Sequence, residues 1–130
     1  MNRCEKRPRI LAIDDVPTNL VVLASALEAD FDFQLAVSGP AGLALAAEHA
    51  PDLVLIDLMM PEMDGFEATR LIRKDPRWRK LPIIAVTAKA MKDDQERCLQ
   101  AGANDYLAKP IDLDRLFSLI RVWLPQLERI

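Results

Sequence analysis

Short apolar runs alternate along this chain with longer amphipathic ones, and the alternation predicts five strands and five helices. Ile10, Leu11, Ala12 and Ile13 make residues 9–14 a strand with no polar position between its ends. Pro17 and Thr18 then open a helix that carries Leu20, Leu23, Ala24 and Leu27 on one face. Residues 33–37 read as a second strand, Ser38-Gly39-Pro40 as a turn with Pro40 suited to a first helical position, and an alanine-rich helix runs on to about Glu48. Residues 53–57 are the third and most apolar strand, and Pro61 with Asp64-Gly65 marks a loop over 58–65. A helix from about 66 to 74 is stopped at Asp75-Pro76, because the residue before a proline avoids the helical region. A fourth strand at 83–87, a helix at 92–101 capped by Gly102, and a short fifth strand at 105–108 follow. The last helix starts near Asp112 with Leu113, Leu116, Phe117, Ile120 and Leu124 facing inward, and Pro125 ends it.

Strands alternating with helices argue for an α/β fold, a five-stranded parallel sheet with helices on both faces and right-handed crossovers. There is no internal repeat and no linker, so the 130 residues suit one domain over 9–124 with tails at 1–8 and 125–130. A content of 51% hydrophobic and 28% charged residues is that of an ordinary globular protein. The net charge of −3 leaves no footprint for direct nucleic-acid binding. Arg3, Lys6, Arg7 and Arg9 are too few for a nucleic-acid arm. No apolar stretch reaches spanning length and no apolar segment follows the charged start, so a cytoplasmic chain without direct membrane contact is expected. Cys4 and Cys98 make neither a disulfide framework nor a zinc site, and Cys98 reads as a small hydrophobe. His49 reads as a surface residue at a helix end and Trp78 as cover for the edge of the core.

Candidate chemistry lies where the apolar runs end. The first ends in Asp14-Asp15, the third in Asp57, the fourth in Thr87 and the fifth is followed by Lys109-Pro110. Parallel strands side by side would gather three carboxylates and an ammonium at the edge where open α/β sheets place their ligands. Carboxylates so close need compensation, and a hard cation such as Mg²⁺, bound through carboxylates and phosphate oxygens, supplies it. A carboxylate such as Asp57 can act as nucleophile towards phosphorus. Lys109 offers a mobile positive charge, Thr87 a hydroxyl donor, and Met59 and Ala88 backbone N–H groups for the transferring oxygens. One of the acid pair is equally explained as a cap for the helix after Pro17, which leaves the other and Asp57 unexplained.

These pieces, LAIDDVPTN, LVLIDLMMPEMDG, PIIAVTA and AGANDYLAKPI, resemble in order and spacing the receiver domain of two-component response regulators. The likeness runs from about Arg9 to Leu124 and is nearest to receivers associated with hybrid histidine kinases. It implies a flavodoxin-like (βα)5 fold and a phosphoacceptor, Asp57, that takes its phosphoryl group from a phosphohistidine on a histidine kinase or histidine phosphotransfer domain. It also implies Mg²⁺ held by Asp14, Asp15, Asp57 and the Met59 carbonyl, with Asp15 the more direct ligand of the pair. Thr87 and Lys109 would bind the phosphoryl group, and Lys109-Pro110 would be a cis peptide. Tyr106 would enter the space that Thr87 vacates, so that phosphorylation selects one of two packings. Met59 and Lys89 would flank the route of attacking water and tune the phosphoryl lifetime.

Catalysis limited to self-phosphorylation and self-dephosphorylation, in a monomer or weak dimer, follows from the same likeness. A metal-dependent aspartyl phosphatase is a weaker reading, because Met59 stands where such enzymes carry a second aspartate. A flavin module is disfavoured by the acidic first loop, which would repel a phosphate lacking a metal. A pseudo-receiver that only binds partners stays open, since residue types alone do not show that Asp57 reacts.

Overall fold

Three of the apolar runs, at 10–13, 53–57 and 83–87, form strands with neither face open to water. The computed structural model describes residues 8–60, 63–88, 92–109 and 111–124. It contains β1 (Arg9–Ile13), α1 (Pro17–Leu27), β2 (Asp32–Ala36), α2 (Gly39–Glu48), β3 (Leu53–Asp57), α3 (Gly65–Lys74), β4 (Ile83–Thr87), α4 (Lys92–Ala101), β5 (Asp105–Ala108) and α5 (Leu113–Trp123). The five strands make one parallel sheet in the order β2-β1-β3-β4-β5. Alternate residues of the central strands feed two cores. Leu11, Ile13, Val54, Ile56, Ile83 and Ala85 pack with residues of α2, α3 and α4. Ile10, Ala12, Leu53, Leu55 and Ile84 pack with residues of α1 and α5. A strand enclosed on both faces has no use for polar alternation, which is why β3 and β4 read as uninterrupted apolar runs.

Side chains cap the starts of three helices. Ser38 caps α2, Asp64 caps α3 and Asp112 caps α5, each accepting from backbone N–H groups of the first turn. Gly102 closes α4 with φ +119°, a conformation that glycine adopts without a Cβ penalty.

Several boundaries or placements differ from expectation, among them the end of β1 at Ile13 and not Asp14, and the end of α5 at Trp123, before Pro125 is reached. Strand β2 lies one residue earlier, because it pairs Arg9 with Asp32 and the Asp32 N–H donates to the Pro8 carbonyl. Gly65 is the first helical residue of α3 rather than the end of a loop. Leu113 is 39% exposed, since the buried row of α5 steps by four through Leu116, Ile120 and Leu124 and passes it by. A 3₁₀ turn, Pro76–Trp78, follows α3, nucleated by Asp75, whose Oδ1 accepts from the Arg77 N–H at 2.9 Å. It seats Trp78 in the core, the role expected of it, and Cys98 is likewise buried. His49 sits exposed at the end of α2. Lys89, Pro110 and Pro125 lie outside the described residues.

Candidate functional site

Strand register assembles the site. Ile13 pairs with Ile56, Asp57 with Val86 and Thr87 with Ala108. One residue further, Asp14 comes beside Asp57 and Lys109 follows Ala108, its N–H donating to the Thr87 carbonyl at 2.8 Å. The ends of β1, β3, β4 and β5 thus bring their polar residues to one edge.

The Lys109 ammonium stands between two carboxylates, 3.1 Å from Asp57 Oδ2 and 3.2 Å from Asp14 Oδ2. Burial by itself lowers its pKa, but the hydrogen bonds and charges of Asp57 and Asp14 outweigh burial and leave it raised. Asp57 is 4% exposed, and its Oδ1 accepts from the Met59 N–H at 3.0 Å. Asp14 accepts from the Val16 N–H through Oδ1 at 2.9 Å and from Asn19 Nδ2 through Oδ2 at 3.3 Å. Neither acid of the pair caps α1: its N-cap is Val16, which makes no side-chain cap bond.

One oxygen from each of Asp14, Asp15 and Asp57 lies within 4.8 Å of the other two. In an octahedron of bonds about 2.1 Å long, ligand oxygens stand roughly 3–4 Å apart. The spacing of the three acids is close to that of ligands around a Mg²⁺-sized ion. The donor set is all oxygen, as such a hard cation prefers. Three carboxylates facing one ammonium leave an excess of negative charge at a largely buried place, which a divalent ion offsets.

A family model for the response regulator receiver domain matches residues 10–121. The chain belongs to this family. The response regulator PleD of Caulobacter vibrioides is 41% identical over 114 residues, which are 87% of this chain and 25% of PleD. The signal transduction histidine-protein kinase BarA of Escherichia coli is 41% identical over 117 residues, 89% of this chain and 13% of BarA. The chain therefore spans a quarter or less of either relative. Among solved structures, the receiver domain of sensor histidine kinase PA1611 from Pseudomonas aeruginosa is 38% identical, with a TM-score of 0.83 over 91% of this chain and 98% of that one. That structure carries a magnesium ion coordinated in its active site cleft. The likeness to kinase-borne receivers thus stands beside likeness to a response regulator.

In this receiver Thr87 is 2% exposed at the end of β4, and Ala88 follows it on the surface. Tyr106 pairs with Ala85, two residues before Thr87, so register puts Thr87 and Tyr106 on one sheet face a diagonal step apart. Tyr106 is partly buried against the core on that face. Met59 presents its side chain to solvent, 54% exposed, while its N–H serves Asp57.

Two supporting residues escaped the sequence reading. Asn19, in the first turn of α1, donates to Asp14, and its only signal was an amide five residues after that acid. Gly65 brings α3 against the end of β3 so closely that a Cβ there would stand 2.5 Å from the Asp57 carbonyl oxygen. The Asp64-Gly65 pair signalled a loop and gave no hint of that approach.

Proposed function

We propose that Asp57 is the phosphoacceptor of this receiver and that a phosphohistidine of a histidine kinase or histidine phosphotransfer domain is its donor. The observation that carries this reading is the Lys109 ammonium, held 3.1 Å from Asp57 and 3.2 Å from Asp14 at the ends of strands far apart in sequence. In transfer, an Asp57 oxygen attacks phosphorus, the N–P bond breaks, and its electrons return to the departing imidazole. The Lys109 ammonium, already at the acceptor, then faces the phosphoryl oxygens. The Thr87 hydroxyl and the Met59 and Ala88 N–H groups complete the donor set. Asp14, Asp15 and Asp57, with the Met59 carbonyl, would hold Mg²⁺, and Asp15 would bind it most directly. When bound, that ion supplies positive charge between the carboxylate and the incoming anion.

Loss of the group follows the same line. Water attacks phosphorus, the P–O bond to Asp57 breaks, and inorganic phosphate leaves. We take this self-dephosphorylation to be the only turnover, so the chain works as a regulatory acceptor with no external substrate. Phosphorylation draws Thr87 towards the new oxygens, and Tyr106, on the same sheet face, follows into the space it leaves. Residues 9–124 act as one such domain, and we place it in the cytoplasm.

Acetyl phosphate with Mg²⁺, read by intact mass, tests the assignment. One phosphoryl adduct is expected, dependent on Mg²⁺ and absent from Asp57→Ala. An adduct that persists in Asp57→Ala overturns the choice of acceptor. Failure of both acetyl phosphate and phosphorylated histidine phosphotransfer domains to label a folded chain overturns the phosphoacceptor reading and leaves a partner-binding module.

A further inference from the structure

We propose that the end of α3 and the 3₁₀ turn after it form a docking surface for an acidic segment of a partner protein. Residues 70–80 hold six of the chain's 17 cations and one of its 20 acids, so the remaining residues carry 11 cations against 19 acids. A chain of net charge −3 thus carries more than a third of its cations on this one stretch. Arg70, Lys74, Arg77, Arg79 and Lys80 are all exposed there. Arg77 is committed to Asp75, 2.7 Å away, and lies over the Trp78 ring. Arg70, Lys74, Arg79 and Lys80 have no carboxylate partner among the described residues.

The stretch is also held rigid. The Arg73 guanidinium donates to the carbonyls of Trp78 at 2.7 Å, Arg79 at 3.2 Å and Gly102 at 2.8 Å, and to Asn104 Oδ1 at 2.7 Å. Trp78 is 7% exposed and anchors the turn in the core. Like charges gathered on one such stretch repel one another, and an acidic partner relieves that repulsion while costing the receptor little freedom.

The chemistry around the cations selects among polyanions. An exposed apolar side chain would strengthen membrane docking by insertion, and an exposed aromatic face would strengthen single-stranded nucleic-acid binding by stacking. The patch offers neither, because Trp78 is buried and none of the exposed large hydrophobic residues falls within 70–80. Both ligands would also spread beyond the patch onto a surface of net negative charge. A short carboxylate-rich segment fits within it, and arginine forks bind carboxylates two bonds at a time.

The Arg79-Lys80 end of the patch precedes the entry of β4 and the acid cluster lies at its exit, with about 13 Å of strand between Ile83 and Thr87. A partner docked on the patch leaves the Asp57 edge open. The proposal is independent of whether Asp57 is phosphorylated.

Isotope-labelled protein, titrated with an oligo-glutamate peptide and followed by amide shifts, tests it. Shifts confined to residues 70–80 and their neighbours are expected, weakening as salt rises. The variant Arg70→Glu/Lys74→Glu/Arg79→Glu/Lys80→Glu should bind about tenfold more weakly or less still. Its labelling by acetyl phosphate should match the parent chain. Lys74→Gln/Arg79→Gln/Lys80→Gln keeps the test readable if charge reversal unfolds the protein. Shifts mapping elsewhere, or unchanged binding in both variants, overturn the proposal. So does tighter binding to phosphatidylserine vesicles or to oligothymidine at equal anion concentration.

Discussion

Gly65→Ala should be among the most damaging single-methyl additions in this protein. An ideal Cβ at Gly65 would lie 2.5 Å from the Asp57 carbonyl oxygen and 2.7 Å from Leu58 Cα. The first distance is 0.9 Å inside the 3.4 Å at which ordinary contact begins. Both neighbours are backbone, and Leu58 N–H is tied to the Val86 carbonyl at 2.9 Å, so relief means moving the end of β3 or the start of α3. Overpacking of this kind costs roughly 1–3 kcal/mol. For a domain of this size about 2 kcal/mol lowers the thermal midpoint by roughly 6–10 °C.

Gly39→Ala is the matched control. Its Cβ would meet Met63 Sδ at 2.6 Å, a similar overlap with the far end of a flexible side chain. Met63 can turn aside, so a loss below about 0.5 kcal/mol is expected. Urea titrations of the two variants decide the matter. Equal midpoints for Gly65→Ala and Gly39→Ala would refute the argument that backbone proximity, and not overlap as such, sets the cost. Because the moved backbone carries Asp57, Gly65→Ala should also slow labelling by acetyl phosphate, whereas Gly39→Ala should leave it alone.

Lys109→Met removes the cation between Asp14 and Asp57 and should destabilise the metal-free chain by about 1–3 kcal/mol, with added Mg²⁺ restoring more stability to it than to the parent; thermal melts with and without the ion check this. Asp57→Asn removes one repelling charge and should weaken Mg²⁺ binding, read by calorimetry, even where it leaves the melting point unchanged or higher. Arg73→Met removes four hydrogen bonds, although Asn104 Oδ1 and the Trp78 carbonyl keep the Ile83 and Leu81 N–H donors, and should cost about 2–3 kcal/mol by urea unfolding, with Arg73→Lys recovering only part, since an ammonium cannot span the same fork. Burial pushes the Cys98 thiol above its ordinary value of 9.0, so its contribution is complete below that pH. As pH rises further the unfolded chain ionises first, and the stability gap between the parent and Cys98→Ala should narrow. A gap that stays constant from neutral to alkaline pH would count against a buried neutral thiol.

The central strands could be read directly because burial on both faces leaves a simple mark, an unbroken apolar run. Polar residues at the ends of such runs stood out for the same reason, and so Asp14, Asp15, Asp57, Thr87 and Lys109 were all visible before any coordinate. Local chemistry also set the Gly102 cap and the stop at Asp75, where a glycine or a proline restricts its own backbone. Strand β2 was read one residue late because it is an edge strand with mixed burial, and no local pattern sets its ends. Its position comes from pairing with β1 across more than twenty residues of chain. Leu113 was misplaced because the inward row of a helix depends on what it packs against, and several rows of α5 are apolar.

Tertiary structure alone decided how the site's charges meet. Asp14 and Lys109 are 95 residues apart, and only the order β2-β1-β3-β4-β5 brings that ammonium between two acids. The same holds for the Arg73 clamp on Gly102 and Asn104, and for the approach of Gly65 to Asp57. Residue type announces what a side chain can do. Which partner it finds is a property of register and crossover, and these are settled by burying both faces of the whole sheet at once.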